Sequence, residues 1–198
     1  MEFYLLGVVG AYLLGSIPFG LVASRIFGKE DPRTRGSHNI GFTNTLRVSG
    51  KKVGILTLIG DLGKGTVATV VAGSMGFPWL WILFIGFSVI LGHVFSIFLR
   101  FKGGKGVATA LGAIIGIHPL IGWLLVGIWL GAVWGFGYSS GGALIAFGAF
   151  PFLVFLLTSD FYFCIFSLGV MAIIFISHKE NIHRLRQGTE SKINLTST

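Results

Sequence analysis

Apolar residues run almost unbroken along most of this chain, and polar residues collect in a few short gaps between the runs. The apolar stretches cover 3–27, 53–73, 79–99, 106–117, 120–136, 142–158 and 161–177. At about 1.5 Å per residue the longer runs suffice, as helices, to cross roughly 30 Å of hydrocarbon. The fourth run, 106–117, covers only about 18 Å. The pattern predicts an all-α, polytopic membrane protein with seven transmembrane helical segments, one of them short. No repeat, linker or second domain interrupts it, so residues 1–198 read as a single integral membrane domain. Met1–Phe27 resembles a signal peptide in length, but it lacks a basic leader and carries Pro18. It is therefore expected to be a retained span.

Composition sharpens this picture. Hydrophobic residues make up 53% of the 198 residues and charged residues 11%, about half the share of a soluble domain. A soluble protein of this size has no core large enough to hide such runs. Gly112/Gly116 and Gly127/Gly131 have the small-xxx-small spacing that lets membrane helices pack closely. The lone cysteine, Cys164, excludes an internal disulfide, a multi-cysteine metal site and a CxxC pair.

The net charge of +8 does not mark a nucleic-acid binder, because the cations sit in short loops rather than on a soluble basic face. Seven lie between Arg25 and Lys52, three at Arg100, Lys102 and Lys105, and four at Lys179, Arg184, Arg186 and Lys192. With seven crossings, 14 of the 15 cations fall on one side. The positive-inside rule assigns that side to the cytoplasm. The N-terminus is then outside and the C-terminus cytoplasmic. The fifteenth cation, Lys64, follows Asp61 by three residues, so both occupy one helical face within a span. Such a pair must face protein or a water-filled cavity, as a structural clamp or as part of a site.

Four polar stretches share the cationic face. RTRGSHNIGFTNTLRVSGKK (33–52) adds Ser37, Asn39, Asn44 and further hydroxyls to Arg33, Arg35 and Arg47. These neutral donors and acceptors suit a hydroxylated, anionic ligand better than a merely topogenic loop. FKGGKGVATA (101–110) places Gly103, Gly104, Lys105 and Gly106 at a helix start. Free backbone N–H groups and an ammonium there make an anion cradle, although no Walker sequence is present. GYSSGG (137–142) contains Ser139 and Ser140. It fits GxSxG, and Ser139, Asp160 and His178 follow the hydrolase order. That triad is rejected, since the motif needs a strand–turn–helix and Asp160 falls on the opposite face. SHKENIHRLRQGTESKI (177–193) puts His178 and Asn181 on one helical face. Here Glu180 stands four residues before Arg184 as a brace, and His178 is available for proton or hydrogen-bond exchange. His93 is expected to pack or cap.

GSHNIGFTNTLR, GHVFSIFLRFKGGKGVAT and HKENIHRLRQGTESKI together resemble the acyl-phosphate-dependent glycerol-3-phosphate acyltransferases of bacterial membranes, the PlsY family. The likeness extends from YLLGSIPFG (12–20) to TESKI. It implies transfer of a fatty acyl chain from acyl-phosphate to the first hydroxyl of glycerol 3-phosphate, releasing lysophosphatidic acid and phosphate. No cofactor or metal is implied. The implied location is the cytoplasmic (inner) membrane, with the site facing the cytoplasm and functional coupling to the enzyme that makes acyl-phosphate. By resemblance, Ser37 and Arg47 match the first motif, and Gly103 to Gly106 match the phosphate loop. His178 and Asn181 match the third motif, with Glu180 as its structural acid, and GDLGKG matches an Asp61/Lys64 element. Arg47, Lys105, Ser37 and the Gly103/Gly104 backbone are then expected to bind glycerol 3-phosphate. His178, Asn181 and Ser140, with Ser139 second, are expected to orient the hydroxyl or meet oxyanion charge. Either His178 or the substrate's own phosphate serves as base. His38 and Phe42 depart from the family pattern.

Two other classes compete. A transporter of anionic metabolites would use the same basic mouth, but it calls for polar lining toward both faces and often for inverted repeats. A metal-dependent alcohol phosphotransferase calls for clustered aspartates, and Asp31, Asp61 and Asp160 are dispersed.

Overall fold

The computed structural model describes residues 1–193, and among these it contains only helices and loops. The elements are α1 (Glu2–Ser16), α2 (Phe19–Ile26), α3 (Phe42–Ser49), α4 (Lys51–Ser74) and α5 (Trp79–Val94) with a 3-10 turn at Ile97–Leu99. They continue as α6 (Val107–Ile117), α7 (Pro119–Phe136), α8 (Ser139–Leu157), α9 (Phe161–Ser177) and α10 (Lys179–Arg186). Four helical segments are long and apolar enough to cross a membrane: α4, α5 with its 3-10 turn, α7 and α8. Two bent pairs, α1–α2 at 44° and α9–α10 at 62°, raise that number to six if each pair is one span. Helix α6 is apolar but shorter.

The first apolar run is therefore not one straight helix. Pro18 has no N–H to give and disfavours helical geometry in the residue before it, and Ile17 is extended (ψ 119°). The break takes the Ile17 carbonyl out of the helical ladder, and Phe19 N donates to it locally at 3.1 Å. Lys64 Nζ of α4 donates to it at 3.1 Å. The polar stretch 33–52 likewise is not all loop, since α3 folds within it. Its start is organised by Asn39, whose Oδ1 accepts from Gly41 N at 2.9 Å.

Glycines set the closest helix pair. A Cβ at Gly112 of α6 would lie 2.0 Å from Leu62 O of α4, and one at Gly65 of α4 would lie 2.2 Å from Thr109 O of α6. Thr66 and Thr69 of α4 donate across this seam to Gly112 O and Ala113 O. Gly112/Gly116 thus pack as their spacing predicts. Gly127/Gly131 do not: nothing lies within 4 Å of a Cβ at either position, because that face of α7 points away from the bundle.

The helices surround a core of Phe147, Phe150, Phe163, Ile114, Leu125 and Ile174. The elements also sort into two ends. At one end Tyr4 packs on Phe77 and Trp81, Trp79 Nε1 donates to Asp160, and His118, between α6 and α7, stacks on Phe163. The opposite end gathers α3, α10, the starts of α4, α6 and α8, and the ends of α5, α7 and α9. It carries every cation except Lys64.

Candidate active site

That cationic end encloses a cavity of about 160 Å³. Its polar wall includes Ser37, Arg47, Lys105, Ser140, His178, Asn181 and Glu190, while Leu58, Val107, Ala108, Leu111 and Ala143 give it an apolar side. Residues far apart in sequence meet here because these helix ends and their loops lie at the same level.

Helix α3 carries Arg47 to the rim, where its Nη2 donates to Lys192 O at 3.5 Å. Ser37 lines the cavity from the preceding loop. The loop owes its shape to Asn44, which is buried. Asn44 Nδ2 donates to Pro32 O, Arg35 O and Asn39 O, and its Oδ1 accepts from Ser37 N. Asn44 and Asn39 therefore lie at the wall, but their side chains are engaged in building the loop rather than free for a ligand.

Glycines 103 and 104 also have a different task from the expected one. Their N–H groups donate to Val94 O and His93 O, both at 3.0 Å, so they do not form an open anion cradle. A Cβ at Gly103 would lie 2.0 Å from His93 O, and one at Gly104 would lie 2.1 Å from His93 Nε2. The chain needs glycine here to press its strap against the end of α5. Gly106, at φ +85°, turns the strap into α6 in a conformation only glycine adopts freely. The strap presents Lys105, whose Nζ donates to Asn181 Oδ1.

Below the strap lies a buried cluster of Asp61, Lys64 and His93. The Lys64 ammonium meets Asp61 Oδ1 at 3.0 Å, His93 Nδ1 at 2.8 Å and Ile17 O at 3.1 Å. Two of its donors make hydrogen bonds within the protein, to Ile17 O and His93 Nδ1, and the charge is met by the Asp61 carboxylate. The Asp61/Lys64 pair thus joins α1, α4 and α5, and Asp61 and His93 also border the cavity. His93 is a member of the clamp, which its lone place in an apolar run did not reveal.

On the far wall His178 is buried, and its Nδ1 lies 2.8 Å from Ile174 O. A carbonyl only accepts, so Nδ1 carries the proton and Nε2 is the acceptor. Burial and the neighbouring Lys105 ammonium push the imidazole down to about 4, so it is neutral at pH 7. Burial also lowers Lys105, against the pull of Glu190, to about 8.

Glu190 is the residue the sequence did not single out. Its Oε1 accepts from Ser140 Oγ and Asn181 Nδ2, both at 2.6 Å, and its Oε2 accepts from Arg184 Nε at 2.6 Å. Burial raises the carboxyl, but these three donors outweigh it and hold Glu190 below its usual range. The signal available was an acid standing alone between Arg186 and Lys192. Arg184 pairs with Glu190 rather than with Glu180, which is exposed, so the predicted i,i+4 brace is not formed. Ser139 Oγ bonds Thr43 Oγ1 at 2.9 Å, fastening α8 to α3. Asp160 caps α9 by accepting from Phe163 N at 2.6 Å. It lies one α8 length, about 28 Å, from Ser139, so the GxSxG triad is absent. Among the described residues no three His, Cys, Asp or Glu converge as metal ligands.

The family model for glycerol-3-phosphate acyltransferase matches residues 5–188. A glycerol-3-phosphate acyltransferase of Geotalea daltonii is 46% identical over 184 residues, covering 93% of this chain and 94% of its own. One from Coxiella burnetii is 37% identical over 193 residues, covering 97% and 99%. Two crystal structures of PlsY, described as an integral membrane glycerol 3-phosphate acyltransferase, superpose closely. The glycerol 3-phosphate form gives a TM-score of 0.91 at 35% identity, covering 96% of each chain. The lysophosphatidic acid form gives 0.88 at 34%, covering 96% of this chain and 94% of the other.

Proposed function

The chain belongs to the glycerol-3-phosphate acyltransferase family, and from that premise we propose that it transfers a fatty acyl group from acyl-phosphate to the sn-1 hydroxyl of glycerol 3-phosphate. The products are lysophosphatidic acid and phosphate. The observation that carries this reading is the two-sided cavity. Lys105, Arg47 and Ser37 on one wall suit a phosphate, and the apolar side toward Leu111 and Ala143 suits an acyl chain. The hydroxyl oxygen attacks the acyl carbonyl carbon, and the bond from that carbon to the phosphate oxygen breaks. The hydroxyl proton passes to the phosphate group of glycerol 3-phosphate and from there to the departing phosphate.

A mixed anhydride is already activated, so orientation and charge stabilisation carry most of the catalysis. Neutral His178 accepts the hydroxyl's hydrogen bond at Nε2 and so aims it. With its pKa near 4, the imidazole is a poor proton acceptor at pH 7, whereas a phosphate monoester ionises near 6. The substrate's phosphate is therefore the base. Asn181 and Ser140, held by Glu190, stand beside the reacting carbonyl. Arg184 and Glu190 keep this wall in register.

In the membrane the chain acts as one unit with seven crossings, α6 serving as the short one and α1–α2 as one bent span. Its N-terminus is outside, and the site opens to the cytoplasm of a bacterial inner membrane. The gathering of loop cations at the cavity end supports this orientation. Acyl-phosphate then comes from an enzyme that makes it at the same surface.

The test incubates detergent-purified protein with labelled glycerol 3-phosphate and either palmitoyl phosphate or palmitoyl-CoA. Labelled lysophosphatidic acid and free phosphate are expected from palmitoyl phosphate alone. Product from the thioester alone would overturn the donor assignment. The absence of product from both would overturn the proposed reaction.

A further inference from the structure

Beyond the Gly103–Lys105 strap from the active cavity lies a second cavity of about 520 Å³. Lys105 borders the first and Gly103 the second, so one short strap separates them. The second cavity is lined by Arg33, His38, Arg100 and Lys102, with Ile40 and Leu99. Arg33 is balanced by Asp31, whose carboxylate it meets at 2.6 Å. The His38 ring holds the wall by donating from Nδ1 to Arg33 O at 2.9 Å. Arg100 and Lys102 have no acidic partner among the described residues.

The turn that carries these two cations is built at a cost. Arg100 (φ 52°) and Phe101 (φ 63°) are consecutive left-handed residues, and His38 across the cavity is a third (φ 54°). Each is a conformation that non-glycine residues avoid. Beside the cations, Phe98 and Phe101 are each 60% exposed and Ile97 is 46% exposed. Apolar side chains rooted at the end of a spanning helix lie in the acyl region of a bilayer, with neighbouring cations at the level of the lipid phosphates.

We propose that this second cavity binds the headgroup phosphate of an anionic phospholipid from the surrounding leaflet. Arg100 and Lys102 meet the phosphate, and Phe98 and Phe101 lie along the acyl chains. The apolar rim favours a lipid over free phosphate, because a small anion gains nothing from two exposed phenyl rings. The site is separate from the acyl-transfer cavity and does not depend on which acyl donor that cavity uses.

The full-length protein is purified in a neutral detergent and offered equal phosphatidylglycerol and phosphatidylcholine, and bound lipid is counted by native mass spectrometry. The unaltered protein is expected to retain phosphatidylglycerol in preference. Arg100→Asn with Lys102→Gln is expected to weaken that retention roughly thirtyfold, Asn being at ease in left-handed geometry. Lys51→Gln with Lys52→Gln removes the same charge from an exposed site elsewhere and is expected to leave retention unchanged. Equal loss from both pairs would overturn the site in favour of diffuse attraction. Lys102→Gln alone leaves the strained positions untouched. It is expected to cost about fivefold, and unchanged retention would also overturn the proposal. Inorganic phosphate is the last arm. Thermal stabilisation by phosphate that depends on Arg100 and Lys102, without a preference between the lipids, would assign the cavity to a free anion and overturn the lipid reading.

Discussion

Gly104→Ala adds one methyl group at the hinge between the strap and the buried clamp. The new Cβ would lie 2.1 Å from His93 Nε2, 2.9 Å from Cε1 and 3.1 Å from Cδ2. The ring must move by more than 1 Å, roughly, to restore van der Waals contact. It cannot do so freely, because Nδ1 on its other side accepts from Lys64 at 2.8 Å. The substitution therefore either overpacks the site, at about 1–3 kcal/mol, or breaks a bond from a buried ammonium, at about 1.5–3 kcal/mol. The expected result is a loss of fold stability, not a selective loss of glycerol 3-phosphate affinity. A double-mutant cycle with His93→Ala separates the two. Once the ring is gone, the methyl group has room, so Gly104→Ala should cost much less. The coupling energy, read from unfolding of the purified variants in mixed detergent, should reach at least about 1 kcal/mol. Additive costs would show that Gly104 does not act through His93. If the substitution also left stability intact and raised only the KM for glycerol 3-phosphate, the glycine would be a ligand contact after all.

Three further outcomes follow from the same geometry. Lys105→Met should raise the KM for glycerol 3-phosphate about ten- to hundredfold, as loss of a charge-assisted bond predicts, with less effect on acyl-phosphate; equal effects on both substrates would mean that Lys105 serves both phosphates. In the unaltered protein the Lys105 cation is present below about pH 8 and lost above it, so the KM for glycerol 3-phosphate should climb as pH rises through 8, and this climb should vanish in Lys105→Met. His178→Ala should lower kcat about tenfold through loss of one orienting bond, yet keep the acidic limb of the pH–rate profile near pH 6; a limb that disappears would identify His178 as the base. Asp160→Asn should keep near-normal activity, since Asn caps a helix as well as Asp does and the residue lies at the far end of the bundle; a hundredfold loss with intact folding would contradict this.

The sequence carried the helices and the sorting of charge well, because both depend on residue type and order alone. Residues such as Arg47, Lys105, His178 and Asn181 were legible as candidates for the same reason: polar groups stand out in so apolar a chain. What they do with their neighbours was not legible. Asn44 looks like a ligand contact until its amide is seen to bond three carbonyls. Gly103 and Gly104 look like a phosphate loop until the carbonyls that hold their N–H groups come into view. Glu190 and Ser140 are 50 residues apart, and no periodicity joins them. The spacing of Gly127/Gly131 matches that of Gly112/Gly116, but only the latter pair meets another helix. Spacing records what a face permits and not whether a partner is there.

The bond from Lys64 to Ile17 O also bears on how the protein is made. The two residues are 47 apart, so α1 and α2 leave the ribosome well before the lysine that completes their bend. At about 5–20 residues per second, several seconds separate them. During that interval the Ile17 carbonyl has only the local bond from Phe19 N, and its second acceptor position is met by water in an insertion channel and by nothing in lipid. The bend between α1 and α2 thus gains its second bond only when α4 arrives. A bend written by Pro18 early in the chain is therefore completed by a residue synthesised later, so these elements mature together rather than one by one.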